Sequence, residues 1–345
     1  TTHHETGYTI SCMKENIIDS LAVIKNIVLN PILDNFDIEK ERHIILEEYN
    51  SYMNDPNNEH TINTLRHLLQ DTIYTNNIIG TTDSISNIKL EDLKKYYNTF
   101  YHPSNMILSI VGNVYNIDTL FENINNLFNF IHIEKEIVPE IPKLLPTHLN
   151  IEKYNHVTLD SLEMSSLISY IIPIFNMTKN DRTLLTFISY LLTNSGMNSI
   201  CMNELRSKNK LIYGISSQFH LLQDIKYDTG LMVIETESSV KHVKDIIEKL
   251  DNCLDVLLIE CLEDETYFNN IKTIMKSKMI YSLEIPKNRL NILINNKKHF
   301  GEADYSIDKK IEMIDKISKE DVLYFIDKFK INSSNKYLYL TEPED

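Results

Sequence analysis

No run in this 345-residue chain approaches the ~20 consecutive apolar residues that a helix needs to cross a bilayer, so a helical membrane span is excluded. The opening residues, Thr1-Thr2-His3-His4-Glu5-Thr6, show no signal-peptide pattern. Cationic side chains are the scarcer charge: 34 Lys and Arg stand against 49 Asp and Glu, a formal charge of -15. Such a balance offers nucleic acid or an anionic membrane no favourable electrostatic term, and argues against both as partners. The four cysteines (Cys12, Cys201, Cys253, Cys261) are scattered and form no CxxC pair. That pattern fits reduced core thiols of an intracellular protein, and otherwise leaves the compartment open. Only 7 glycines occur among abundant Asn, Ile and Lys, a bias that points to an AT-rich coding sequence rather than to a functional demand.

What is present is enough chain for two domains with substantial cores, at an ordinary 42% hydrophobic and 24% charged. A polar strand pattern at 6–13 leads into an amphipathic helix with Ile17, Leu21, Ile24 and Val28 at helical spacing, ended by Pro31. An acidic helix over roughly 37–53 follows, then one carrying Ile62, Leu65, Leu68, Leu69 and Ile73. A loop at 80–84 and a helix over 90–100 come next, before a buried-strand pattern at 105–112. Residues 134–150 hold Pro139, Pro142 and Pro146 among mixed charges, as a linker does. The second half reads as strands at 167–174, 211–222 and 229–236, with helices near 181–193, 240–259 and 264–281.

The two halves echo each other. Ile88-Lys89-Leu90-Glu91-Asp92-Leu93 recurs as Ile317-Ser318-Lys319-Glu320-Asp321-Val322, each followed by an apolar strand pattern. In the second copy Ser318 and Asp321 form a capping box, whereas Lys89 in the first cannot accept the bond. The expectation is a duplicated α+β fold: an N-terminal domain over 1–133, a linker over 134–150 and a C-terminal domain over 151–345. Each domain is expected as a largely antiparallel sheet with helices on one face.

On the acidic helix Glu41 and Glu48 stand seven residues apart, almost two full turns, so both carboxylates leave from one face. Phe36, Ile44, Ile45 and Tyr49 are read as its apolar face. A buried carboxylate needs a partner or a metal, whereas a solvated acidic face needs only Lys40 and Arg42 along the helix. The spacing alone leaves both readings open.

Four places in the chain resemble the M16 metallopeptidases, the pitrilysin, insulinase and mitochondrial processing peptidase family. Thr1 to Tyr8 resembles the end of the family's "NAxTxxxxTxY" segment, and Glu39 to Glu48 its "ExERxxxxxE" helix. Asp55-Pro56, 79–85, Tyr101-His102-Pro103-Ser104-Asn105-Met106 and 111–114 resemble the rest of the first domain. Leu192 to Ser199 is similar to its "LxGGGMSS" turn, and Leu205-Arg206 to Tyr213-Gly214 to its "LR…Y" segment. The resemblance implies the M16 fold and a zinc endopeptidase that cleaves peptides or presequence-like segments in a closed chamber. Glu48 falls on a zinc ligand, Glu41 on the carboxylate that supports it, and Arg206 and Tyr213 on a pair that holds the substrate backbone. It also implies a peptide substrate and pairing with a second M16 chain, as homodimer or heterodimer, in which Arg206 and Tyr213 act on the partner's zinc.

The family's HxxEH motif, two zinc histidines and the glutamate that activates water, is absent from these residues. His3-His4-Glu5 lacks its spacing, and His60 and His67 have no metal role in the family. The match at Thr1 begins in mid-segment. The expectation is therefore a chain incomplete at its N-terminus, with the motif and the first strands in the missing part, and inactive by itself. The alternatives are a non-catalytic M16 subunit that binds substrate or builds a larger complex, and an acidic α+β interaction protein outside the family.

Overall fold

The computed structural model describes residues 1–70, 72–114, 116–128, 153–159, 165–222, 229–301 and 306–344, and the linker expected at 134–150 lies outside them. Two compact units result, and they interleave along the chain. Unit 1 holds residues 1–58, 76–143 and 286–294; unit 2 holds 59–75, 144–285 and 295–345.

The described part of unit 1 is helical. Helices α1 (Ile17–Leu29) and α2 (Asn35–Met53) come first, then the opening turn of α3 (Pro56–Leu68). They are followed by α4 (Thr82–Asn87), α5 (Leu90–Phe100) and α6 (Ile117–Phe128). Long side chains reaching carbonyls tie them together: Lys25 of α1 donates to Leu127 O at 2.7 Å, and the Tyr97 hydroxyl of α5 to Val28 O at 2.9 Å. The expected loop at 80–84 instead starts α4, because Thr81 and Ser84 form a capping box. The strands expected at 6–13 and 105–112 are not formed among the described residues: both stretches run outside any ladder. A strand is a property of a pair, and among the described residues neither segment has a ladder neighbour to complete it. Their apolar side chains show the consequence, with Ile107 47% and Leu108 44% exposed.

Unit 2 carries a five-stranded sheet made of β1 (Tyr154–Leu159), β2 (Ser165–Ile174), β3 (Ile215–Leu221), β4 (Gly230–Ser239) and β5 (Tyr337–Pro343). The strand order is β1-β5-β2-β4-β3, antiparallel except for the β1–β5 pair. The α+β class and the largely antiparallel sheet expected from the sequence are both present here. Side chains alternate across the sheet. Ile168, Tyr170, Ile172 and Ile174 of β2 enter one core with Leu338 and Leu340 of β5 and Met232 and Ile234 of β4. That face is covered by α7 (Lys179–Ser189), by α8 (Val243–Asn252) and its continuation to α9 (Leu258–Glu260), and by α10 (Glu265–Ser282). After α11 (Pro286–Phe300), α12 (Ile307–Asp315) and α13 (Lys319–Phe329) complete the layer. α13 starts at the expected Ser318–Asp321 capping box.

The opposite face of the sheet is also covered. Leu68, Leu69 and Tyr74, contributed by the 59–75 segment, pack on Ile171, Leu231, Val233, Tyr337 and Tyr339. With both faces occupied, β2 reads as a nearly continuous apolar run rather than an alternating one.

Gly230 opens β4 opposite Leu221, where an added Cβ would stand 2.5 Å from His220 O and 2.3 Å from the Phe219 ring. A backbone oxygen cannot rotate away. Gly230→Ala is therefore expected to lower the unfolding free energy by about 1–3 kcal/mol, read as a lower urea midpoint.

Candidate functional site

Asp34 caps α2 by accepting from the Asp37 amide at 3.0 Å. Two and four turns further on, Glu41 and Glu48 stand on one face of the helix, both exposed. The apolar face read beside them is only half-covered, with Ile44 50% exposed and Ile45 and Tyr49 partly buried. Among the described residues neither carboxylate has a hydrogen bond or an ion pair. Of the two cations that adjoin Glu41 in sequence, Lys40 and Arg42, the arginine is committed elsewhere: Arg42 pairs with Glu39 at 3.2 Å and donates to Ile88 O at 2.7 Å and to Ile85 O. Those two carbonyls close α4, so Arg42 pins α4 against α2. Glu41 also lines a cavity of about 280 Å³ whose walls include Ile38, Ile45, Ile79, Ile85 and Leu93.

In unit 2, Arg206 lies on π-helical turns over Met202–Lys208. Glu204, on the same turns, fixes them by meeting Lys208 at 3.0 Å and Lys249 of α8 at 3.4 Å, and by accepting from Asn209 Nδ2 at 3.1 Å. Burial pushes the Glu204 carboxyl up, but the two ammonium groups outweigh it and hold it below the usual carboxylate range. From this anchored segment the Arg206 guanidinium sits 4.7 Å over the ring of Tyr213. Tyr213 is not a half-buried strand residue: it precedes β3 in a turn and is 80% exposed. The exposed Tyr213 hydroxyl and the partly buried guanidinium thus form one set of donors.

The turn at 193–199 is held by two side chains of α10. Lys278 of α10 donates to Asn194 O at 2.7 Å and Tyr267 to Asn198 O at 2.8 Å, while Gly196 takes the left-handed conformation at φ 66.

The fit to zinc can be judged on ligand count. A catalytic zinc needs three protein ligands of the His, Cys or carboxylate type. Among the described residues no group of three such side chains converges, and Glu48 stands as a single carboxylate. The residues present do not by themselves make a zinc site. His60 and His67, flagged by their spacing, are elsewhere: His60 is buried against the unit 2 sheet, bonded to Ser169 and Thr341. That polar network escaped the sequence reading. Its signal was there, as a histidine in the apolar stripe of α3 and as Ser169 and Thr341 interrupting two apolar strands.

A largely antiparallel sheet covered on both faces, a charged-residue helix in a separate unit and an anchored arginine–tyrosine pair make up an α+β architecture. The chain belongs to the M16 peptidase family: the family model described as "Peptidase M16 inactive domain" matches residues 87–275. A zinc protease of Rickettsia felis is 23% identical over 341 residues, covering 97% of this chain and 76% of that protein. The zinc protease YmfH of Bacillus subtilis is 34% identical over 114 residues, 33% of this chain and 26% of YmfH. The match thus spans about a quarter of that relative's length. Among solved structures, a protease from Helicobacter pylori superposes with a TM-score of 0.76 at 18% identity, covering 96% of this chain and 77% of that one. A chain of complex III2 from Candida albicans does so with a TM-score of 0.71 at 14% identity, covering 95% and 77%. Both likenesses are of fold. Among the described residues no helix is long and apolar enough to cross a membrane.

Proposed function

We propose that this chain is part of a zinc endopeptidase that cleaves peptides or presequence-like segments, with Glu48 as a zinc ligand and Glu41 as its supporting carboxylate. The observation that carries this reading is the exposed, same-face pair on α2 that no cation neutralises among the described residues, although Arg42 stands beside it. The remaining ligands would come from residues that these 345 do not include. Arg206 and Tyr213 would hold the substrate backbone through their guanidinium and hydroxyl donors, and a second M16 chain is the partner this reading calls for.

A second reading is a non-catalytic M16 subunit. The description of the matched family model as an inactive domain favours it. The coding sequence upstream of Thr1 separates the two. An in-frame HxxEH supports the peptidase, whereas a stop codon, or a helix without both histidines, supports the subunit. For the chain of these residues, a zinc titration should show no tight stoichiometric binding and peptide hydrolysis should be absent. Tight binding that Glu48→Gln abolishes would overturn that expectation.

A further inference from the structure

The 59–75 segment is held on the unit 2 sheet by apolar contacts at one end and by a polar network at the other. His60 is 4% exposed, with Nδ1 2.7 Å from Thr341 Oγ1 and Nε2 2.7 Å from Ser169 Oγ. Ser169 Oγ in turn donates to Glu235 Oε1 at 3.3 Å. An ionised carboxylate can only accept, so the single Ser169 hydrogen goes to Glu235 and Ser169 must accept from Nε2–H. Nδ1 is then the acceptor for the Thr341 hydroxyl. The neutral ring satisfies every group in the chain Thr341–His60–Ser169–Glu235, and it does so in one tautomer.

We propose that His60 is an acid-sensitive catch: protonation of its ring releases the 59–75 segment and uncovers the second face of the unit 2 sheet. With both ring nitrogens carrying hydrogen, Thr341 must turn its own hydrogen away, and a full charge sits in a pocket closed by the edge-on Tyr339 ring, 5.3 Å away. The groups around it offer little compensation. On α3, Glu59 adjoins His60 in sequence, and His67, two turns on, has its Nε2 buried without a partner among the described residues, as does Thr64 Oγ1. From β5 the ring meets Thr341 and Tyr339, and the next carboxylate, Glu342, is engaged by His156 of β1 at 2.8 Å. From β4 Glu235 reaches the ring through Ser169, and on β3 the partly buried His220, its own pKa lowered by burial, lies in the field of the same Glu235.

Burial pushes the His60 pKa from 6.5 down to about 4. The released segment therefore takes up a proton before the seated one does, and the seated form weakens as pH falls from about 6.5 to about 4. Across that window the equilibrium for seating should shift by up to about 300-fold, and above it the catch is fully closed.

The test is hydrogen exchange on the full chain between pH 7 and pH 4, corrected for intrinsic rates and read on amides 62–69 with α10 amides as internal reference. Wild type should lose protection at 62–69 by about 100-fold or more relative to α10, and His60→Gln, which cannot charge, by less than about 10-fold. Equal loss in both proteins, or loss spread evenly over α10, overturns the proposal. If His60→Gln does not seat the segment at neutral pH, the wild-type His60 ring titration followed by NMR decides. A midpoint near 4 that coincides with exposure of 62–69 supports the catch, and a midpoint near 6.5 overturns it.

Discussion

Glu48→Gln should abolish peptide hydrolysis in any form of this protein that performs it, while Glu41→Gln should reduce it by about 10–100-fold. The difference follows from the two jobs proposed for the pair. A ligating carboxylate contributes a charge and an oxygen directly, and the neutral amide replaces both poorly. A supporting carboxylate acts through its neighbour, by orienting it and raising its basicity, and its loss leaves the metal bound but less firmly. Both side chains are exposed, and neither has an ion pair or hydrogen bond among the described residues, so neither substitution removes a contact that holds α2 in place. The measurement is zinc content together with kcat/KM for both variants, with thermal unfolding as a control for folding. Full zinc occupancy and full activity in Glu48→Gln would end the peptidase reading. Equal, complete loss in both variants would instead make Glu41 a ligand.

Phe187→Ala should destabilise unit 2 by about 3–5 kcal/mol. The ring is 0% exposed in the core between the sheet and its helices, and it meets Phe268 of α10 edge-to-face at 5.0 Å and 68°. Truncation removes the transfer energy of the ring and leaves a cavity between two helices that α13 and the sheet prevent from closing. About 0.5–1.5 kcal/mol of the loss should belong to the aromatic pair itself. The Phe187→Ala, Phe268→Ala double-mutant cycle isolates that part. Urea unfolding followed by circular dichroism gives the total, and a loss below about 1 kcal/mol would mean that the site collapses around the gap.

The pieces legible in the sequence are those that a short segment decides for itself. α5 begins and ends where its periodicity places it, Leu90 to Phe100, and the Ser318–Asp321 box starts α13 as its spacing requires. β2 and β4 were legible because long β-branched runs between turn residues leave little choice. α4 was missed because Thr81 and Ser84 cap it with a serine in the place where glutamate is the usual sign. The unformed strands at 6–13 and 105–112 show the reverse failure, a good local pattern without a partner. The site divides the same way. The shared face of Glu41 and Glu48 follows from helical geometry alone. The contact of Arg206 with Tyr213 does not: the two are seven residues apart across π-helical turns and a turn before β3, and only the family resemblance linked them. The His60 network joins residues 109 and 281 positions apart, a separation that no local pattern encodes.

The place of β5 in the strand order bears on how the chain acquires its structure. It lies between β1 and β2, yet it follows the other four strands of the sheet in sequence, at Tyr337–Pro343, and the segment that covers the sheet's second face lies far ahead of it, at 59–75. During synthesis the apolar side of that segment must wait for a platform that stays incomplete until β5 has been made. The contacts that close unit 2 therefore span most of the sequence, the high contact order that slows folding and lengthens exposure of sticky surface. A nascent chain stopped short of residue 337 would present β1 and β2 as two separate open edges, and chaperone dependence is the natural cost of that order of assembly.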